Sequence, residues 1–157
     1  MDFNLVAAIV GGLVGTIVMT ALMMMAPMMG MPKMDMPALL GSMFGAPGSK
    51  PLGFLMHFMM GTIFGLIYAV LFNVVTGPGI ILLGAFFGVA HWLVVGLMTG
   101  MMPMMHAGIK SGQVPAPGIY MTRLGGMLGF VGGLMGHVVF GLVVGLVYGL
   151  ITGTFSA

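Results

Sequence analysis

Residues 51–109 read PLGFLMHFMMGTIFGLIYAVLFNVVTGPGIILLGAFFGVAHWLVVGLMTGMMPMMHAGI, with no Asp, Glu, Lys or Arg between Lys50 and Lys110. A helix needs about 20 apolar residues to cross the hydrocarbon core of a bilayer, so this stretch is too long for one crossing. Thr76-Gly77-Pro78-Gly79 breaks it, because Gly and Pro favour turns and end helices. The reading becomes one span over 53–75 and another over 80–102. Working outward, residues 5–26 carry no charge and form a first span, and a last one lies within 124–154. That last run is overlong, which predicts tilt or an extension past the lipid on the loop side. The apolar runs are continuous rather than alternating, and every amide in lipid must bond internally, so helices are expected and strands are not.

The bulk composition agrees. Of 157 residues, 60% are hydrophobic and 4% are charged, and mean hydropathy is +1.22. A soluble domain carries roughly 25% charged residues, so an ordinary globular protein is excluded, as is a disordered one. The formal charges are Asp2, Lys33, Asp35, Lys50, Lys110 and Arg123. No basic stripe exists for nucleic acid. The absence of Cys removes disulfides and thiolate sites. The N-terminus lacks a basic region and a cleavage site, so its apolar run reads as a retained span. The connections 27–51 and 103–122 hold or border every Lys and Arg. By the positive-inside tendency these loops are expected in the cytoplasm and both termini outside. Asp35 before Met36-Pro37 reads as an N-cap and first helical turn. Leu39, Leu40, Met43 and Phe44 are then expected to lay a short helix on the membrane surface.

Two of the spans match each other. One reads His57-x3-Gly61-x3-Gly65-x2-Tyr68 and the other His137-x3-Gly141-x3-Gly145-x2-Tyr148. The first and third spans match more weakly, with Gly11-x3-Gly15 against Gly84-x3-Gly88 and Pro27-Met28-Met29 against Pro103-Met104-Met105. The expected fold is therefore an all-α integral membrane protein, a single membrane domain over 1–157. Its four transmembrane helices form two parallel hairpin repeats, 1–76 and 77–157, related by an axis along the membrane normal.

Met56-His57-Phe58-Met59-Met60-Gly61, Ala90-His91-Trp92-Leu93-Val94 and Met135-Gly136-His137 together resemble an uncharacterised family of small four-helix bacterial integral membrane proteins. The resemblance covers most of the chain and implies a bacterial inner membrane. It carries no functional residue with it.

Glycine recurs at a spacing of four on both matched spans. Gly61 and Gly65 on the second, and Gly133, Gly141 and Gly145 on the fourth, let backbones approach closely. The segment from Gly133 to Gly145 is expected to face the second span. A glycine-lined channel or carrier path is the alternative use of the same stripe.

His57 and His137 fall at equivalent repeat positions, so two imidazoles are expected near the pseudo-two-fold axis. Intramembrane ionisable residues point to function. Such a pair could bind a metal or haem iron or share a proton, and the bland reading is that each donates to a backbone carbonyl or to a neighbouring Tyr or Thr. His91 stands alone at mid-depth. His106, at the loop end, reads as interfacial and hydrated. Methionine, 22 in all, crowds the loop side of the spans. Met98, Met102 and Met105 share a helix face with His91 by spacing, and Met60 lies near His57. Thioether and imidazole are soft ligands suited to Cu(I), which makes His57, His91, His137, Met60, Met98, Met102 and Met105 the candidate metal set. The competing reading is that Met fills gaps beside Gly.

Catalysis is not expected. Asp2 and Asp35 form no carboxylate pair within a span. Ser42 or Ser111 with His57 or His106 would lack any group to orient the base. No phosphate-cradling loop occurs. The reading is a non-enzymatic scaffold or accessory subunit in the lipid bilayer, as a homo-oligomer or part of a membrane complex. The alternative is a Cu(I)- or haem-binding membrane protein, and the third is a small channel or carrier.

Overall fold

The computed structural model describes residues 2–45, 47–75 and 79–155. Helices dominate the described residues, and none of these residues is in a strand. Four helices are long and apolar enough to cross a membrane: α1 (Leu5–Met25), α3 (Lys50–Val74), α4 (Ile80–Thr99) and α7 (Thr122–Thr152). Short helices lie between them: α2 (Met36–Gly41), α5 (Met102–Met105) and α6 (Ala107–Lys110). The expected spans are met within a few residues. The break at Thr76-Gly77-Pro78 falls outside the described residues. The overlong fourth span is interrupted rather than simply extended. Gly125 and Gly126 leave helical geometry, Gly126 at φ 56°, a value that favours glycine. Pro32 packs where a Gly125 side chain would stand.

The chain forms two compact units. Unit 1 takes the described residues of 1–22, 58–91 and 134–157. Its core is apolar and aromatic, with Ala8, Tyr68, Phe72, Ile80, Phe87, Phe140, Val144 and Tyr148 all buried. Two helix contacts there are made backbone to backbone. In the first, a Cβ on Gly12 of α1 would lie 2.6 Å from the Gly61 carbonyl oxygen of α3, and one on Gly65 would lie 2.5 Å from the Ala8 oxygen. In the second, a Cβ on Gly84 of α4 would strike the Gly141 carbonyl of α7, and one on Gly145 would lie 2.6 Å from the Ile80 oxygen. Side chains cannot fit at these points, so the small residues determine which helices touch. Thr16, Thr20 and Thr62 return their hydroxyl protons to the carbonyls of Gly12, Thr16 and Phe58 on their own helices, at 2.7, 2.7 and 2.9 Å. That satisfies polar groups that lipid could not. The outward faces are apolar as well, with Val6, Phe86 and Leu150 largely exposed.

The α7 contacts correct one expectation. Gly141 and Gly145 meet α4, and so does Gly133, against the Trp92 ring in unit 2, whereas the segment was expected to face α3. The reason is that α4 carries its own matching small residues, Gly84 and Gly88, while Gly61 and Gly65 of α3 are taken by α1.

Unit 2 takes the described residues of 23–57 and 92–133. It gathers the loops and short helices with the adjoining end turns of the four long helices. Asp35 caps α2 as expected, its carboxylate accepting from the Ala38 amide at 3.0 Å. It also pairs with Lys50 Nζ at 2.8 Å. That hydrogen bond to Lys50 holds the Asp35 carboxyl below its ordinary range. Leu39 and Leu40 are buried and only Phe44 of the expected surface set is strongly exposed. α2 therefore packs inward, because the second loop covers it: Ala107 and Gly108 amides donate to the Met43 and Ser42 carbonyls at 3.0 and 2.9 Å.

Candidate functional site

The glycine contact between α4 and α7 also sets two imidazoles together. A Cβ on Gly88 would collide with the His137 carbonyl, so the α4 backbone lies directly on α7 at this level. His91 follows Gly88 by three residues, almost one turn, and its ring meets the His137 ring edge to face, centroids 4.6 Å apart and planes at 89°. α3 supplies the rest. Phe64 stacks on His91 at 3.7 Å, and the Tyr68 hydroxyl lies 3.3 Å from His91 Nδ1. Phe140 closes the cluster, its ring centroid 6.0 Å from that of His91. Tyr68 is itself enclosed by Phe72, Phe87 and Phe140.

Such an arrangement offers two kinds of chemistry. Two imidazoles present nitrogen lone pairs that a soft cation could accept, or they can share a proton, with the Tyr68 hydroxyl in hydrogen-bond reach of His91 Nδ1. Porphyrin does not suit it. Bis-imidazole haem ligation puts a macrocycle and two iron–nitrogen bonds between the rings, and rings in edge contact leave no such gap.

The expected donor set divides between the two units. His137 finds its imidazole neighbour in His91, within unit 1. His57 is buried and belongs to unit 2. Met60 sits on α3 one turn before Phe64, half-buried. Met98 and Met105 are exposed and Met102 is half-buried. The face extrapolated from His91 fails beyond Met98 because α4 ends at Thr99 and Pro103 opens a separate short helix carrying Met102 and Met105. Among the described residues no three His, Asp or Glu gather as a metal site. The five expected packing glycines all lie at close contacts; Gly61 meets the Thr16 side chain.

His106 is corrected outright. It is fully buried rather than hydrated. Its Nε2 donates to the Leu39 carbonyl at 2.7 Å, and its Nδ1 accepts from the Ile109 amide at 3.2 Å, capping α6. Both ring nitrogens serve backbone, so the imidazole is a clamp between the two loops. Ser42 likewise donates to the Ala38 carbonyl at 2.9 Å, and Ser111 to that of Gly108 at 3.2 Å.

Reading the sequence missed Phe64 and gave Tyr68 no role. The usable signal was Tyr68 at the end of the repeated His-Gly-Gly-Tyr motif. Its counterpart Tyr148 does a different task, its hydroxyl accepting from the Asn4 amide at 3.0 Å.

Comparison with curated proteins and with solved structures finds no match. A family model, described as a family of unknown function (DUF6789), matches residues 3–156, and with nearly its whole length covered the chain belongs to that family.

Proposed function

We propose that the chain is an integral membrane protein that works without catalysis, as a small scaffold or accessory subunit. Its long loops would lie in the cytoplasm and both termini outside a bacterial inner membrane. The observation that carries the reading is the backbone-to-backbone packing of Gly12 on Gly61 and Gly84 on Gly141. It makes two firm helix pairs and leaves apolar outer faces for lipid, further copies or a larger complex. Gentle solubilisation of tagged protein from its own membranes tests this. Retention of a stoichiometric partner or a defined homo-oligomer is expected. A lone, partner-free monomer would contradict it.

The same contacts favour the duplication into hairpins 1–76 and 77–157. Ala8, Gly12 and Thr16 then correspond to Ile80, Gly84 and Gly88, an offset of 72, one residue from the alignment that sets Gly11 and Gly15 against Gly84 and Gly88. On that offset the α1 counterpart of His91 is Met19.

A second reading has its own observation, the His91–His137 pair beside Tyr68. It is a soft-cation site for Cu(I), with Met60 the thioether of the expected set that belongs to the same unit. Titration with Cu(I) against a competing chelator tests it. Binding tighter than micromolar that disappears in His91→Ala and in His137→Ala supports the site, and equal binding by the variants removes it.

A further inference from the structure

Arg123 stands at a cavity that the packing role does not use. The cavity, of about 480 Å³, is lined by Gly100, Pro103, Gly118, Ile119, Thr122 and Arg123. Its volume is in the range of roughly 300–1,000 Å³ usual for ligand sites. The arginine is held in place at its stem. Gly118, at φ 73°, presents bare backbone, and a Cβ there would lie 2.7 Å from Arg123 Cγ. The Arg123 amide donates to the Pro117 carbonyl at 3.0 Å. Between them, Tyr120 and Met121 adopt φ of 51° and 58°, a left-handed turn that non-glycine residues seldom take. Thr99 fastens the turn by its hydroxyl, 2.7 Å from the Gly118 carbonyl.

Among the described residues no acidic side chain pairs with this charge. The chain carries two acidic side chains, Asp2 and Asp35. Asp35 is engaged with Lys50, and among the described residues Arg123 makes no ion pair. The surroundings are apolar and exposed: Leu97, Met101 and Ile119 all present more than half their surface. Tyr120 lies alongside, its hydroxyl donating to the Leu93 carbonyl at 3.1 Å. An arginine between exposed aliphatic side chains and an amphipathic tyrosine, where one long helix ends and another begins, is chemistry suited to the headgroup level of a bilayer.

We propose that this cavity binds the phosphate of an anionic membrane phospholipid. The guanidinium pairs with the phosphate oxygens, which its planar fork fits better than a lysine would. The acyl chains run along the exposed Leu97, Met101 and Ile119. The Thr122 hydroxyl already donates to the Ile119 carbonyl at 2.7 Å, so its remaining lone pairs suit a hydroxyl-bearing headgroup such as phosphoglycerol.

The inference rests on the reading that the chain lies in a membrane, and alkaline carbonate extraction of the expressed protein tests that separately. The site itself is tested by native mass spectrometry of the full chain released from mixed phosphatidylglycerol and phosphatidylcholine nanodiscs. Wild type is expected to keep phosphatidylglycerol preferentially, and Arg123→Gln to lose about fivefold of that preference. Arg123→Lys should keep part of it. Lys110→Gln, the same change of charge on another exposed basic residue, should leave it intact, as should millimolar inorganic phosphate. An unchanged preference in Arg123→Gln overturns the proposal. So does an equal loss in Lys110→Gln, which would indicate bulk charge, or displacement by inorganic phosphate, which would indicate a free anion. Protein that carbonate extracts fails the membrane reading instead.

Discussion

The α1–α3 contact and the α4–α7 contact of unit 1 are built alike and differ in what lies beside them. Each has a glycine of one helix on a glycine carbonyl of the other, with a second glycine one turn on against Ala8 or Ile80. In the first, the next turn of α1 holds Thr16, back-bonded to Gly12, and then Met19. In the second, the corresponding positions are Gly88 and His91, and His137 and Tyr68 come into reach. The same backbone geometry therefore serves packing alone in one pair and packing plus an imidazole cluster in the other. Helix association is set by where Cβ atoms are missing; chemistry is set by one residue a turn away.

The largest expected effect tests the shared part. Gly84→Leu and Gly12→Leu should each cost about 3 kcal/mol, because the helices must separate to admit the side chain. Unfolding in mild detergent measures it. Loss of stability in only one of the two variants would break the equivalence of the contacts.

The next tests the difference. His91→Leu should cost about 2 kcal/mol, since buried Tyr68 loses its partner. Met19→Leu should cost under about 1 kcal/mol as a near volume-conserving change. Similar costs for both would mean that the imidazole is mere filler.

Tyr68→Phe and Tyr148→Phe sharpen the comparison of the motif copies, at about 1 kcal/mol each by the usual value of a hydrogen bond. Only Tyr148→Phe should speed amide exchange at Asn4, and only Tyr68→Phe should move the His91 ring resonances.

The smallest effect is in the loop between α1 and α3. Asp35→Asn keeps a capping side chain but loses the charge pair with Lys50, worth about 0.5 kcal/mol at an exposed site. Because the folded carboxyl titrates below its ordinary value, this contribution is present above the ordinary carboxylate pKa. It fades as pH falls through the lowered one. Acid titration of wild type against Asp35→Asn should converge at the acid end.

Much of this could be read from residue order. Charge-free length gave four spans, and the observed bounds of α1 and α4 begin where the runs begin. Asp35 before Met36-Pro37 gave the cap. The glycine spacing marked the faces in contact. It did not mark the partners, because a stripe of small residues names a face of its own helix and says nothing of which other helix lies on it. That is why the reading sets Gly141 and Gly145 against α3, where α4 lies on them. The burial of His106 escapes the sequence for a related reason. Its acceptor is a backbone carbonyl 67 residues away, and every residue type has a carbonyl. Met102 and Met105 were placed on the His91 face by extending a helix that stops at Thr99.

The central claim is that α4 lies on α7 through Gly84, Gly88 and Gly141 and so puts His91 against His137. Solid-state NMR of imidazole-labelled protein in lipid bilayers measures it directly, with His91→Gln and His137→Gln to assign the signals. A through-space contact between the His91 and His137 rings is expected, lost in either variant. Rings too far apart to give that contact in folded, bilayer-embedded protein would contradict it.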